Sequence, residues 1–313
     1  MPKVVISEFM DEAAIAAELS GFDTLYDPTL VDRPEDLHAA LAGAEALIVR
    51  NRTQVRGSLL KAAPRLTVVG RLGVGLDNID MAACRARGIA VHPATGANDG
   101  AVAEYVIAAA LLLLRGAYGA SAAVAAGQWP RNALMGREVA GKRLGLIGFG
   151  ANARQTARRA AALGMRVAAS DPFVPAGDPA WNQPHGPVAR LDREALIAGS
   201  DVLSLHVPLT PETRGLIDAD VIARMPRGAV LINAARGGLV DETALAEALR
   251  TGHLGGAALD VFASEPLDAK AGAIFADVPN LILTPHIAGV TQESNVRVSA
   301  VTARAVWRHL AGI

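Results

Sequence analysis

Three ionisable residues each stand just past a run of apolar residues: Arg236 after AVLINAA, Glu265 after AALDVFAS, and His286 after LILTP. Where such runs are strands of a parallel sheet, ligands bind and chemistry gathers beyond their carboxyl ends. Arginine presents two parallel N–H donors to a carboxylate, or polarises a carbonyl. Histidine gives a proton to an oxygen that is gaining negative charge, and a nearby carboxylate would hold it protonated and oriented. Any one of the three alone would be an ordinary solvated side chain. On neighbouring strand ends they would form one site for acid/base work beside a bound anion.

A second constellation is LGLIGFGANA, residues 144–153. It reads as a strand entering Gly148-x-Gly150-x-x-Ala153 and then an alanine-rich helix. Gly148 permits the tight turn, Gly150 lets a pyrophosphate approach the backbone, and Ala151 and Asn152 complete the loop at the helix N-terminus. Asp171 ends the next strand 23 residues after Gly148, close to the spacing of about 20 at which an acidic residue accepts hydrogen bonds from a ribose. An aspartate there would repel a 2′-phosphate, and no arginine follows it directly, so NAD is the expected cofactor. Arg154, Arg158 and Arg159 read as the solvated face of the helix.

The elements that must position these groups follow from patterning. In the first hundred residues KVVIS (3–7), ALIVR (46–50), LTVVG (66–70) and IAVH (89–92) are apolar throughout, as strands buried on both faces are. DEAAIAAEL (11–19), PEDLHAALAG (34–43) and MAACRARG (81–88) read as helices, two of them closed by glycine. NDGAVAEYVIAAALLLLRG (98–116) reads as a helix capped by Asp99 and apolar nearly all round, which suits a domain junction or a subunit interface. A second alternating series follows: RLGLIG (143–148), RVAAS (166–170), DVLSLH (201–206), GAVLIN (228–233), GGAALD (255–260) and LILTP (281–285). Six strands with helices between them imply a parallel sheet covered on both faces. VPAGDPAWNQPHGP (174–187) reads as a polar loop, and the last helix (293–312) is expected to cross back over the first domain.

Composition narrows the function classes. A chain of 313 residues is expected to form two domains. The most lipid-like stretch, YVIAAALLLL (105–114), is closed by Arg115 and falls short of the roughly 20 apolar residues a membrane span needs. Glu8, Asp11 and Glu12 stand where a signal peptide would have its apolar core, so a cytoplasmic location is expected. Thirty basic residues balance thirty-one acidic ones without a long basic run, which argues against nucleic-acid or membrane-surface partners. Cys84 is the only cysteine, so intrachain disulfides and thiolate metal sites are excluded and an inert core thiol is expected.

The chain resembles the D-isomer-specific 2-hydroxyacid dehydrogenases over nearly its whole length. The resemblance rests on GRLGVGLDNID (70–80), GKRLGLIGFG (141–150), HVPLTPETRGLI (206–217), INAARGGLVDETAL (232–245), AALDVFASEP (257–266) and TPHIAG (284–289). It implies two doubly wound α/β domains with parallel sheets. One is a flavodoxin-like substrate domain over 1–97 plus 288–313, the other a Rossmann NAD-binding domain over 98–287, with the active-site cleft between them. It implies an NAD-linked interconversion of a 2-hydroxy acid and its 2-oxo acid by a homodimer. By motif, Arg236 clamps the substrate, His286 is the acid/base and Glu265 its partner. The backbone of Val74 and Gly75 would hold the substrate carboxylate as a nest of amides. Asp260 would contact the nicotinamide carboxamide, while His206 and Pro208 would form the cofactor-side wall, with Ala234 in the same cofactor set. Two positions depart from the family pattern: Ala153 replaces a third glycine, and Asn152 replaces a branched apolar residue.

The motifs VGRLGVGLDN and MGREVAGK are nearest those of 3-phosphoglycerate dehydrogenases, which often carry a C-terminal regulatory domain. This sequence stops at Ile313, so feedback by an amino acid is not expected. Arg50 and Arg52 in IVRNRT and Arg71 in GRLG follow strands of the first domain, and Arg131 in QWPRN could join them from a partner subunit. So many cations point to a second anionic group on the substrate, as in 3-phosphoglycerate or 3-sulfolactate. Arg50 and Arg71 are assigned to the substrate; Arg52 and Arg131 stay open between that and exposed surface. Glyoxylate or hydroxypyruvate reduction is the alternative, weakened by Asp171 because many such reductases prefer NADPH. A non-catalytic NAD(H) sensor of the corepressor type is the alternative from another class. The formate dehydrogenase branch carries a glutamine where Glu265 stands.

Overall fold

The computed structural model describes residues 3–313. The chain divides into two compact units, Met1–Asn98 with Val290–Ile313, and Asp99–Gly289.

In the first unit, β1 (Lys3–Ile6), β2 (Asp23–Tyr26), β3 (Ala46–Val49), β4 (Val68–Arg71) and β5 (Ala90–Pro93) form one parallel sheet in the order β2-β1-β3-β4-β5. Successive residues of a strand point to opposite faces, and the apolar runs use both. Val5, Leu47, Val49 and Val69 pack with residues such as Leu37, Leu41 and Leu60 on one face. Val4, Ile6, Ile48 and Val68 pack with Val298, Ala303 and Val306 of the helix Gln292–Ala311 on the other. Gly70 lets that helix settle, because a Cβ there would stand 2.7 Å from Thr302 Cγ2 and 2.8 Å from Val306 Cγ2. Strand β2 and the helix Gly57–Ala62 have no counterpart in the sequence reading. DTLY lies at the sheet edge and alternates between exposed and half-buried positions, so it lacks the apolar run that marks the inner strands.

In the second unit the strands are β6 (Arg143–Ile147), β7 (Arg166–Ser170), β8 (Asn182–Gln183), β9 (Gly186–Pro187), β10 (Ala189–Arg190), β11 (Val202–Leu205), β12 (Val230–Asn233), β13 (Gly256–Leu259) and β14 (Leu281–Leu283). Seven of them form a parallel sheet in the order β10-β7-β6-β11-β12-β13-β14. The chain runs outward from β6 through β7 to β10, then returns to the far side of β6 at β11. The gap between the ends of β6 and β11 is therefore a topological switch point, where open α/β sheets bind ligands.

The helix Asp99–Arg115 buries most of its apolar residues against the helix Ala151–Ala162 and the sheet, and Asp99 is its first residue rather than a cap outside it. The segment 174–187 is not the plain polar loop expected. It contains a short 3₁₀ turn, Pro179–Trp181, and the antiparallel pair β8–β9. Trp181 is buried and stacks on Phe149 with ring centroids 4.8 Å apart, a long-range contact that local composition does not encode. Cys84 is buried, and burial pushes its thiol above the ordinary range. Among the described residues no single helix is long and apolar enough to cross a membrane.

Candidate functional site

The glycine turn sits at the switch point of the second unit. Gly148 has φ +88°, and a Cβ there would lie 2.5 Å from His206 O and 2.9 Å from Val207 Cγ1. Both the left-handed backbone and the close approach require glycine. The Gly148 N–H donates to Ser170 O at 2.9 Å and the His206 N–H to Ile147 O at 2.7 Å, joining three strand ends. Gly150 is exposed with open space around its Cα and precedes the helix Ala151–Ala162. Ala151 is exposed and Asn152 half-buried, while Ala153 is fully buried beside the sheet, where its small side chain keeps the helix close.

Asp171 does more than end β7. Its carboxylate accepts the Phe149 N–H and the Phe173 N–H, each at 2.8 Å, so it braces the glycine turn. Phe149 is held between the Trp181 ring and the Arg154 guanidinium, which lies 5.6 Å from its centroid. Arg154 Nε also donates to Phe149 O at 3.0 Å, and Arg159 pairs with Glu104 at 2.9 Å. These two arginines are therefore structural ties, not the bare solvated face expected. A helix N-terminus with open backbone before it suits a pyrophosphate, and a carboxylate at the next strand end suits a ribose. His206 shares a hydrogen bond with Ser204 Oγ at 3.0 Å, and burial pushes its imidazole down to about 4, leaving it neutral at neutral pH. Pro208 is exposed and Ala234, after β12, half-buried.

Arg236, Glu265 and His286 follow β12, β13 and β14 and form one cluster. Asn233, buried at the end of β12, donates from Nδ2 to Arg236 O at 2.8 Å and accepts the Ala235 N–H at 3.1 Å. That side chain wraps the turn that presents Arg236. Gly237 lets the same turn lie against the backbone after β13, since a Cβ there would fall 1.7 Å from Phe262 O. Glu265 accepts the Phe262 N–H at 3.0 Å on one oxygen and meets His286 Nδ1 at 2.7 Å on the other. Burial alone would raise the Glu265 carboxyl. The hydrogen bonds from His286 and Phe262 and the charges of His286 and Arg236 outweigh it, and the group stays below its ordinary value. With Nδ1 tied to the carboxylate, Nε2 is the ring nitrogen left to exchange a proton.

His286 sits at φ +55° in the left-handed region, which costs a non-glycine residue about 1 kcal/mol or more. Asp260 holds it there. This buried residue accepts the Thr284 hydroxyl at 2.6 Å and the N–H groups of Ile287 and Ala288 at 2.8 Å each, while its carbonyl accepts the His286 N–H at 2.8 Å. The Tyr105 hydroxyl lies 2.7 Å from Thr284 Oγ1 and extends the chain of bonds. The resemblance assigned Asp260 to the nicotinamide carboxamide; in the structure its carboxylate also holds the histidine turn. Sequence reasoning missed this role and that of Asn233, although an Asn ending an apolar strand just before the Arg was a usable signal.

In the first unit, the loop after β3 is framed by buried polar groups. Glu8 accepts the N–H groups of Arg50, Thr53 and Arg52 at 2.9, 3.0 and 3.1 Å. Asn78 Nδ2 donates to Thr53 O at 2.7 Å and to Arg50 O at 3.2 Å. Arg50 is half-buried, and its guanidinium lies 5.7 Å from the Phe9 ring centroid and bonds to Asn295 Oδ1. Burial pulls its pKa below the usual arginine value. Arg52 is exposed and ion-paired with Asp32, and Arg131 is exposed. Arg71 folds back over Gly73 and donates from Nη1 to Leu72 O at 3.1 Å. Val74 is exposed and Gly75 half-buried, and among the described residues neither amide has a hydrogen-bond partner. No group of His, Cys, Asp and Glu among the described residues could hold a metal ion.

The family model described as the D-isomer specific 2-hydroxyacid dehydrogenase NAD binding domain matches residues 107–288. The sequence is 55% identical to the (S)-sulfolactate dehydrogenase of Chromohalobacter salexigens, over 99% of each chain. It is 39% identical to the D-3-phosphoglycerate dehydrogenase of Mycobacterium leprae over its whole length, and spans 57% of that longer protein. The D-lactate dehydrogenase of Aquifex aeolicus, solved with NAD and lactic acid, matches with a TM-score of 0.85 at 28% identity, over 99% of this chain and 96% of that one.

Proposed function

Because the chain belongs to the D-isomer-specific 2-hydroxyacid dehydrogenases and is an NAD-dependent enzyme of that class, we propose that its substrate is a three-carbon 2-hydroxy acid with a tetrahedral anion on the third carbon. Sulfolactate is placed ahead of 3-phosphoglycerate. The observation that carries this reading is Arg50, a half-buried cation whose side chain is bound to an amide and an aromatic ring. Its charge is available to a sulfonate or phosphate. The 55% identity to a sulfolactate dehydrogenase supports the sulfonate. The two stereochemical names agree: sulfur raises CH₂SO₃⁻ above the carboxylate in priority, so (S)-sulfolactate has the spatial arrangement of D-lactate.

NAD, held at the Gly148–Gly150 turn and by Asp171, would supply the hydride acceptor for C2 on oxidation and the hydride donor on reduction. The chain supplies the rest. His286 Nε2 takes the hydroxyl proton as the carbonyl forms, and Glu265 stabilises the resulting imidazolium. Arg236 polarises the developing carbonyl and holds the carboxylate with two donors. The amides of Val74 and Gly75, without a partner among the described residues, are assigned to that carboxylate, with Arg71 adding positive charge at the same turn. A homodimer is part of the proposal, supported by Leu111, Leu112, Tyr118, Val124, Trp129 and Met135, all exposed along one stretch of chain. A cytoplasmic setting is retained on the strength of the single, buried thiol.

The test is NADH oxidation with sulfopyruvate, phosphohydroxypyruvate, hydroxypyruvate, oxaloacetate and pyruvate. We expect sulfopyruvate to give the highest kcat/KM. Equal values for sulfopyruvate and pyruvate would overturn the second-anion reading, and a clear preference for hydroxypyruvate would replace it.

A further inference from the structure

We propose that Asn295 is a positioning residue that sets substrate selectivity: it tethers Arg50 through a neutral amide, so the guanidinium keeps its charge for a sulfonate or phosphate. The inference rests on the reading of Arg50 given above.

The contrast with other arginines of this chain is direct. Arg33, Arg52, Arg65, Arg159 and Arg304 all end on carboxylates. Arg50 ends on Asn295 Oδ1, its one hydrogen-bond acceptor among the described residues, and its Nε is buried without a partner. A guanidinium has five N–H donors, and a buried donor left unpaired costs free energy, so this arrangement is suited to an anion that arrives from outside. The Glu8 carboxylate acts on Arg50 electrostatically. Its oxygens, however, accept the backbone N–H groups of Arg50, Arg52 and Thr53. The loop backbone is thereby fixed by a buried carboxylate while the side chain is fixed by neutral groups.

Asn295 is itself held rigidly. It lies in the first turn of the helix Gln292–Ala311, its N–H donates to Thr291 O at 2.9 Å, and Thr291 with Ser294 closes a capping box. The amide orients one edge of the guanidinium without compensating its charge. A carboxylate at 295 would pair with Arg50, and the substrate anion would have to displace it.

The experiment measures the KM of sulfopyruvate and of phosphohydroxypyruvate, each relative to pyruvate, at saturating NADH. Wild type is compared with Asn295→Asp, Asn295→Ala, Asn295→Gln and Arg50→Ala, and thermal melting checks that each variant folds. A charged hydrogen bond of the usual strength corresponds to at least about tenfold in affinity. Asn295→Asp is expected to raise the KM ratio for sulfopyruvate and phosphohydroxypyruvate by that factor. Asn295→Ala should raise it by less, because the guanidinium then swings free, and Asn295→Gln should restore part of it. A change confined to sulfopyruvate identifies the group as sulfonate, one confined to phosphohydroxypyruvate as phosphate. An Asn295→Asp ratio equal to wild type, beside an Arg50→Ala ratio raised about tenfold or more, would overturn the tether alone. An Arg50→Ala ratio equal to wild type would overturn the reading of Arg50, and the tether with it.

Discussion

The histidine turn of the second unit and the arginine loop of the first are built alike in backbone and oppositely in charge. Each is braced by one buried carboxylate that accepts two or three N–H groups: Asp260 for residues 286–288, Glu8 for residues 50–53. On the histidine turn, the side chain to which we assign the proton transfer is also paired, His286 to Glu265 at 2.7 Å. On the arginine loop, the exposed cation is paired, Arg52 to Asp32, while the half-buried one rests on a neutral amide. A group that must pass a proton needs a fixed counter-charge to hold its tautomer and its charged form. A group that must recognise an anion needs rigidity without one.

That contrast can be broken at several points. The largest effect is expected from His286→Ala, which removes the proton-exchanging nitrogen and should lower kcat by a factor of about 10²–10⁴, with NADH affinity, read by fluorescence, retained. A loss below tenfold would show that the paired turn is not the chemical one.

Glu265→Gln should lower kcat/KM for reduction, because the imidazolium loses its counter-charge. The same carboxyl is held below its ordinary value in the fold. Its contribution to stability is therefore complete above the unfolded value and disappears as pH falls through the lower folded one. Acid titrations of melting temperature should show that dependence in wild type and lack it in Glu265→Gln. Superimposable profiles would remove Glu265 from its role.

Asp260→Asn leaves one acceptor oxygen where three donors converge, and each amide left unpaired costs about 1–3 kcal/mol. Thermal unfolding should report the loss of stability and steady-state kinetics a fall in kcat. A stable variant with unchanged kcat would mean that the turn holds its shape unaided. The smallest effect is expected at Arg52, an exposed pair. Arg52→Ala should change stability by less than about 1 kcal/mol and leave the sulfopyruvate-to-pyruvate KM ratio as it is. A ratio altered as strongly as in Arg50→Ala would make both cations part of the anion site.

Inner strands were legible in the sequence because burial on both faces leaves an unbroken apolar run, as in VLIN of β12 and ALIV of β3. Edge strands β2 and β10 were not, since DTLY is only half-buried at alternate positions, Ala189–Arg190 is exposed, and neither carries such a run. Gly148, Gly150 and Asp171 could be singled out because a tight turn, an open backbone and a strand-end acid impose residue type at fixed spacing. The tasks of Asp260 and Glu8 could not, because their partners lie 24 to 28 and 42 to 45 residues away and are mostly backbone amides, which have no sequence identity to read. Arg52 and Arg50, two positions apart, look equivalent as text. Only the placement of Asp32 and Asn295 separates them.

The stack of Trp181 on Phe149 has a practical consequence. An indole excited in the ultraviolet emits where reduced nicotinamide absorbs, and this indole lies directly beneath the glycine turn. The protein therefore carries its own optical gauge of cofactor occupancy: quenching of tryptophan emission on titration with NADH, reduced in Trp181→Phe where only Trp129 and Trp307 remain, follows binding without a label or a turnover assay.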